Sequence, residues 1–207
     1  MQQKHSDGDI RPNWIRRVFG RINLGAFLVV LLVLAAVSRF VPEKIGDNYQ
    51  IALPLIGLGC AVAEGQGVRY FGRYLLLETF IKGPKYGLGD AEINKRPNGN
   101  DKGFPSGHTA AAAFGATALV QTCLKHSKTA QAAAILGAGF VGASRIEAGK
   151  HTIWQVLAGA VIGWLVQALS LVAFDRLVRR AWDGASIRLR RIGKSAYAAL
   201  VTGDPPT

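Results

Sequence analysis

Charged residues are scarce in this chain. They make up 18% of its 207 residues, against about a quarter in an ordinary soluble domain. Acids are the scarcer kind, with Asp+Glu 13 against Lys+Arg 25. Beside an apolar content of 49%, this shortage excludes an ordinary soluble domain and fits a chain buried in lipid. The basic excess does not point to a nucleic-acid partner. Its residues lie between and beyond the apolar runs, as the positive flanks of membrane spans do. Cysteine is nearly absent. Cys60 and Cys123 fall in or beside apolar runs, in no spacing that suggests zinc. They read as small buried apolar residues rather than a disulfide. No internal repeat is present.

What the chain does have is apolar runs. Residues 1–21 are polar and basic, and a long apolar stretch follows at 24–41. Val37-Ser38-Arg39-Phe40 makes a poor cleavage site, so the stretch reads as a retained span and not a signal peptide. Further runs cover 51–63, 68–81, 107–124, 129–143 and 153–174. Spanning the hydrocarbon as a helix takes about 20 mostly apolar residues. The fold expected is therefore all-α: an integral membrane bundle of about six helices. It would occupy residues 22–175, between a basic cytoplasmic segment 1–21 and a basic tail 176–207.

The tail carries Arg176, Arg179, Arg180, Arg188, Arg190, Arg191 and Lys194, with Leu177, Val178, Trp182, Ile187 and Ile192 interleaved at helical spacing. That is the pattern of an amphipathic helix on an anionic membrane surface. With six spans the two termini share a side, and 16 of the 25 basic residues fall on it. Basic residues favour the cytoplasm. The site described next then faces the periplasm, on the outer side of a bacterial inner membrane.

Three fragments carry the chemistry: Lys95-Arg96-Pro97, Phe104-Pro105-Ser106-Gly107-His108-Thr109, and Ser144-Arg145 with His151. Arg96 and Arg145 offer planar, permanently charged forks to phosphate oxygens. Ser106 and Gly107 open the helix at 107–124, and a helix N-terminus is an anion site. Two histidines, His108 and His151, suffice for a nucleophile and an acid. Each fragment alone is bland: a loop dipeptide, a helix start, an interfacial pair. Together, in this order and on one face, they describe phosphate-ester chemistry at a membrane surface.

The fragments resemble the three signature motifs of the type 2 phosphatidic acid phosphatase superfamily, which includes the vanadium haloperoxidases. Pro105-Ser106-Gly107-His108 matches in full, and Ser144-Arg145 with His151 matches in spacing. The resemblance implies that His151 attacks phosphorus and forms a phosphohistidine. It implies that His108 protonates the leaving group, and that Arg96, Arg145, Ser106 and Gly107 hold the phosphate. It implies no metal and no other cofactor. Two positions depart from the pattern. The family's Lys, seven residues before the Arg, is here Gly89. Lys85 is assigned the role instead, with Lys82 and Lys95 as alternatives. The family's Asp, four residues after the nucleophile, is here Gln155. Its amide oxygen can still fix the His151 tautomer, and Glu147 is a candidate for the missing carboxylate. On that reading Gln155→Asp keeps or raises activity. A similar His-Thr then Gln-Val pattern occurs in dolichyl diphosphatases.

The function implied is hydrolysis of a lipid phosphate or diphosphate, such as undecaprenyl diphosphate, a lipid A phosphate or a phospholipid phosphate. A lipid-to-lipid phosphotransferase and a catalytically silent headgroup-binding protein are the rivals. The sequence does not set the oligomeric state.

Overall fold

A computed structural model describes residues 24–169 and 171–202. The expectations for residues 1–21 and for the last five residues lie outside these. The chain divides into two compact units, Met1–Leu169 and Ser170–Thr207. The described residues form seven α-helices, one 3-10 turn and no strand. In the first unit these are α1 (Leu24–Val37), α2 (Pro42–Ala63), α3 (Gly67–Gly87), the 3-10 turn Glu92–Asn94, α4 (Gly107–Gln121), α5 (Lys128–Glu147) and α6 (Ile153–Ala168). The second unit is a single helix, α7 (Val172–Thr202).

The helices fall on the six apolar runs and the basic tail, but their ends differ from hydropathy. Helix α2 begins nine residues before its apolar run, with Pro42 in its first turn. Proline suits that position because its missing N–H has no helical partner there. Its polar half carries Glu43 and Asp47. Helix α3 runs on past Ile81 to Gly87 and so carries Lys85. The run 153–174 is not one helix. It stops at Ala168, Leu169 is extended, and α7 starts at Val172. Among the described residues no single helix is long and apolar enough to cross a membrane. Ile153–Ala168 and Val172–Ser195 reach that only when taken together.

Helix α4 is the axis of the first unit. Its sequence, GHTAAAAFGATALVQ, is almost all small. Small residues let helix backbones approach closely. At Gly115 a Cβ would stand 2.4 Å from the backbone of Leu53 in α2. On the other side, a Cβ on Gly159 or Gly163 of α6 would stand 2.3 or 2.2 Å from the carbonyls of Ser106 and Ala110. Alanine at any of the three would push helices apart. One core cluster gathers Phe27, Leu53, Leu119 and Val141 around this axis, and a second gathers Tyr70, Leu77, Phe114 and Val166.

Two expectations are corrected here. Cys60 and Cys123 are not free: they form a disulfide joining the end of α2 to the residues after α4, with Cα atoms 5.7 Å apart. Apolar surroundings suited both roles, and only the spatial meeting of two helix ends distinguishes them. Arg73, one of the 16 basic residues assigned to the side of the termini, is 1% exposed. Its guanidinium donates to the carbonyls of Val166 and Gln167 at 3.3 and 2.6 Å. It caps the negative end of α6, where a cation is favoured.

Candidate active site

The site lies where the first turns of α2, α4 and α6 meet the last turns of α3 and α5. These ends bring together most of what the sequence singled out. Ser106 precedes α4 and is fully buried. Its N–H donates to the carbonyl of Gln155 at 2.9 Å, which locks the start of α4 to the start of α6. Its hydroxyl lies 3.0 Å from that of Thr109 and caps no backbone group. The first N–H groups of α4, at Gly107 and His108, have no partner inside the helix, as in any helix.

Arg145 closes α5 and is 3% exposed. It donates to Asp47 at 2.8 Å, to the Glu43 carbonyl at 2.7 Å and to the Ser144 hydroxyl at 3.4 Å. The same Asp47 oxygen, Oδ1, also meets His108, whose Nε2 is 3.3 Å away. One carboxylate therefore spans the second-motif histidine and the third-motif arginine. Gly46 makes room for this, since a Cβ there would stand 2.1 Å from the Ser144 hydroxyl.

His151 follows the turn after α5 and is 3% exposed. Its Nδ1 lies 3.0 Å from Oε1 of Gln155. Gln155 is 1% exposed, and all four of its hydrogen-bonding positions are filled. Its Oε1 also accepts from the Thr152 N–H at 3.2 Å, while Nε2 donates to the carbonyls of Ile93 and Lys95 at 2.9 and 2.8 Å. Those two carbonyls accept only, so the NH₂ must face them and the oxygen must face His151. The network thus sets the tautomer: Nδ1 carries the proton and Nε2 carries the lone pair. Burial holds the His151 pKa down, to about 4; the Gln155 bond opposes this, while Arg96, Lys85 and His108 add to it.

The geometry reverses the expectation for Gln155→Asp. Gln155 orients the histidine and also pins the loop before Arg96. An aspartate could accept from His151 but could donate to neither carbonyl. Glu147 is exposed, and the group that meets Nδ1 is Gln155.

Lys85 and Arg96 converge on one atom. Lys85 Nζ and Arg96 Nη2 donate to the Lys102 carbonyl at 2.7 and 3.3 Å. Burial, and then Arg96, lower the Lys85 pKa to about 8, which leaves it mostly charged at neutral pH. The side chains of Lys82 and Lys95 turn instead to Glu78 and Glu92. Arg96 Nε is shielded from solvent and has no partner.

The sequence reading missed several residues. Asn94, 1% exposed, organises the loop 89–104. Its amide donates to the carbonyls of Lys85 and Gly89 at 3.1 and 2.8 Å and its oxygen accepts from the Phe104 N–H at 3.1 Å. Gly103 faces Gln155, and a Cβ there would stand 2.5 Å from Nε2. Asp47 and Glu43 lie between the apolar runs 24–41 and 51–63, where hydropathy marks no helix. Thr152 and Gln155 form a capping box, a Thr-x-x-Gln signal that was open to reading. No group of three or more His, Cys, Asp or Glu suited to a metal ion occurs among the described residues.

The PAP2 superfamily model matches residues 70–179, just over half of the chain. No curated protein matches, and no solved structure matches.

Proposed function

The chain belongs to the PAP2 superfamily, whose members are generally phosphatases, and from that premise we propose that it hydrolyses a lipid phosphate or diphosphate at the outer face of a bacterial inner membrane. The observation that carries the reaction is the His151–Gln155 pair. It leaves an unprotonated Nε2 beside two cations, Lys85 and Arg96, and a second histidine. Arg96 Nε, a shielded donor with no partner, is costly unless an anion meets it. Arg145 has donors left over beyond its three protein bonds. These groups and the α4 N-terminus form a seat for three phosphate oxygens.

With phosphate seated, Nε2 of His151 attacks phosphorus. The P–O bond to the lipid breaks as the N–P bond forms, and His108 gives its proton to the leaving oxygen. Nδ1–H then donates to the Gln155 oxygen, whose dipole stabilises the positive charge that stays on the imidazole. In the second step His108 takes a proton from water, the resulting hydroxide oxygen attacks phosphorus, and the N–P bond breaks. Phosphate leaves, and both histidines return to their starting states. Asp47 holds His108 and Arg145 in register for both steps.

The membrane placement rests on the outward faces of the helices. Leu32, Leu55, Leu136 and Trp154 are each at least 60% exposed, as side chains that face lipid would be. The excess of basic residues on the side of the termini favours the orientation with the site outside. The test is phosphate release by the full-length protein in detergent. A panel of lipid phosphates is used, with and without EDTA, beside His151→Ala. Release that survives EDTA and is lost in the variant is expected. Release from no lipid overturns the reading, and loss in EDTA overturns the metal-free mechanism.

A further inference from the structure

An apolar groove of about 570 Å³ opens beside the phosphate seat, between α4, α5 and α6. Its floor is one stripe of α4: Thr109, Ala113, Ala116, Thr117 and Val120. These recur at i, i+3 and i+4, so they share a helix face. No charged residue lines the groove, and the floor offers no free hydroxyl. Thr109 is bonded to Ser106 and Thr117 to the Ala113 carbonyl, at 3.0 and 2.7 Å.

The groove ends next to the site, where its lining residues are sequence neighbours of site residues. Thr109 follows His108, Ile146 follows Arg145, and Val156 follows Gln155. Its walls converge at that end, where Gly142 lets Val156 and Thr109 close in. A Cβ on Gly142 would stand 2.7 Å from Val156 and 3.4 Å from Thr109. Farther along, the rim is apolar and open, with Ile135 58% and Trp164 53% exposed. From Thr109 to Val120 the floor runs about 16 Å at the rise of an α-helix. One leaflet of a hydrocarbon core about 30 Å thick is about 15 Å deep.

We propose that this groove binds one hydrocarbon chain of the substrate, lying along α4 within the leaflet that holds the site while its phosphate meets Arg96, Arg145 and His151. The proposal rests on the lipid-phosphatase reading and adds to it where the chain lies. The cationic seat at one end and the uncharged trough beyond match an anionic head with a single apolar tail. A branched prenyl chain and a straight alkyl chain share that chemistry.

Gly139→Leu tests it. Gly139 lines the groove, and a Cβ there meets no atom within 4 Å. Leucine also favours the helix over glycine, so the variant folds. Full-length protein in detergent is assayed on hexadecyl, farnesyl and butyl phosphate. For one or both long chains kcat/KM is expected to fall about tenfold, the value of roughly two methylenes denied burial, with butyl phosphate unchanged. The larger drop identifies the chain type the groove fits. Equal values for all three substrates in variant and wild type overturn the proposal, as does an equal fall for all three. If wild-type protein cleaves butyl phosphate and neither long-chain ester, the lipid reading itself fails, whatever the variant does.

Discussion

Gln155→Asp separates this structure from the simple expectation that an aspartate belongs at that position. The substitution shortens a side chain that is 1% exposed and removes its two amide donors. The carbonyls of Ile93 and Lys95 lose bonds of 2.9 and 2.8 Å. A buried polar group left without its partner costs about 1–3 kcal/mol, so two cost about 2–6 kcal/mol. Against this, a carboxylate beside the His151 imidazolium gains roughly 1.5–3 kcal/mol, the value of a charge-assisted bond. The loss is the larger, because the new carboxylate also faces carbonyl oxygens that had met N–H groups. A net deficit near 2 kcal/mol predicts a fall in kcat/KM of roughly thirtyfold.

The assay is phosphate release across pH, with amide exchange over residues 89–104 as a second readout. His151 must be neutral to attack, and its pKa is held at about 4. Wild-type activity on the acid side is therefore lost as pH falls through about 4, as far as this group sets it. An adjacent carboxylate raises that pKa, so the acid limb moves to higher pH in the variant. Loop exchange should quicken. Wild-type or higher activity with unchanged exchange would refute the dual role given to Gln155.

Other expectations follow from the same contacts. Lys85→Ala should lower kcat/KM by ten- to a hundredfold, the scale of one charged contact at about 1.5–3 kcal/mol, while Lys82→Ala and Lys95→Ala change it less than twofold. A large effect at Lys95 would move the role away from Lys85. Reducing the Cys60–Cys123 disulfide, whose cysteines are 63 residues apart, should destabilise the fold by up to about 4 kcal/mol on loop-closure grounds. Thermal unfolding with and without reductant reads this, and an unchanged midpoint contradicts it.

The helix plan was legible because apolar runs are long and local. Its ends were not. Residues 42–50 are helical but polar, so hydropathy begins α2 only at Ile51 and leaves Asp47 in a loop. Asp47 matters through Arg145 and His108, which are distant in sequence and meet it only in the fold. Asn94 is a single polar residue in a polar loop, and nothing local marks it as the hub of that loop. Motif spacing was enough to find His108, His151, Arg96 and Arg145, and the structure brings them to one end. Motif spacing gave only part of the role of Gln155, the bond to His151. It compares one residue with one residue, whereas the carbonyls of Ile93 and Lys95 decide what that position must do. The cysteines show the same limit, since burial and pairing look alike until two helix ends are placed side by side.

The central claim is that His151 carries the phosphoryl group during turnover. The most direct measurement uses lipid substrate labelled in its phosphate, quenched with alkali during turnover, followed by mapping of the labelled peptide. The account predicts label on His151, and neither label nor phosphate release in His151→Ala. Label on another residue, or phosphate release that persists in His151→Ala, would contradict it.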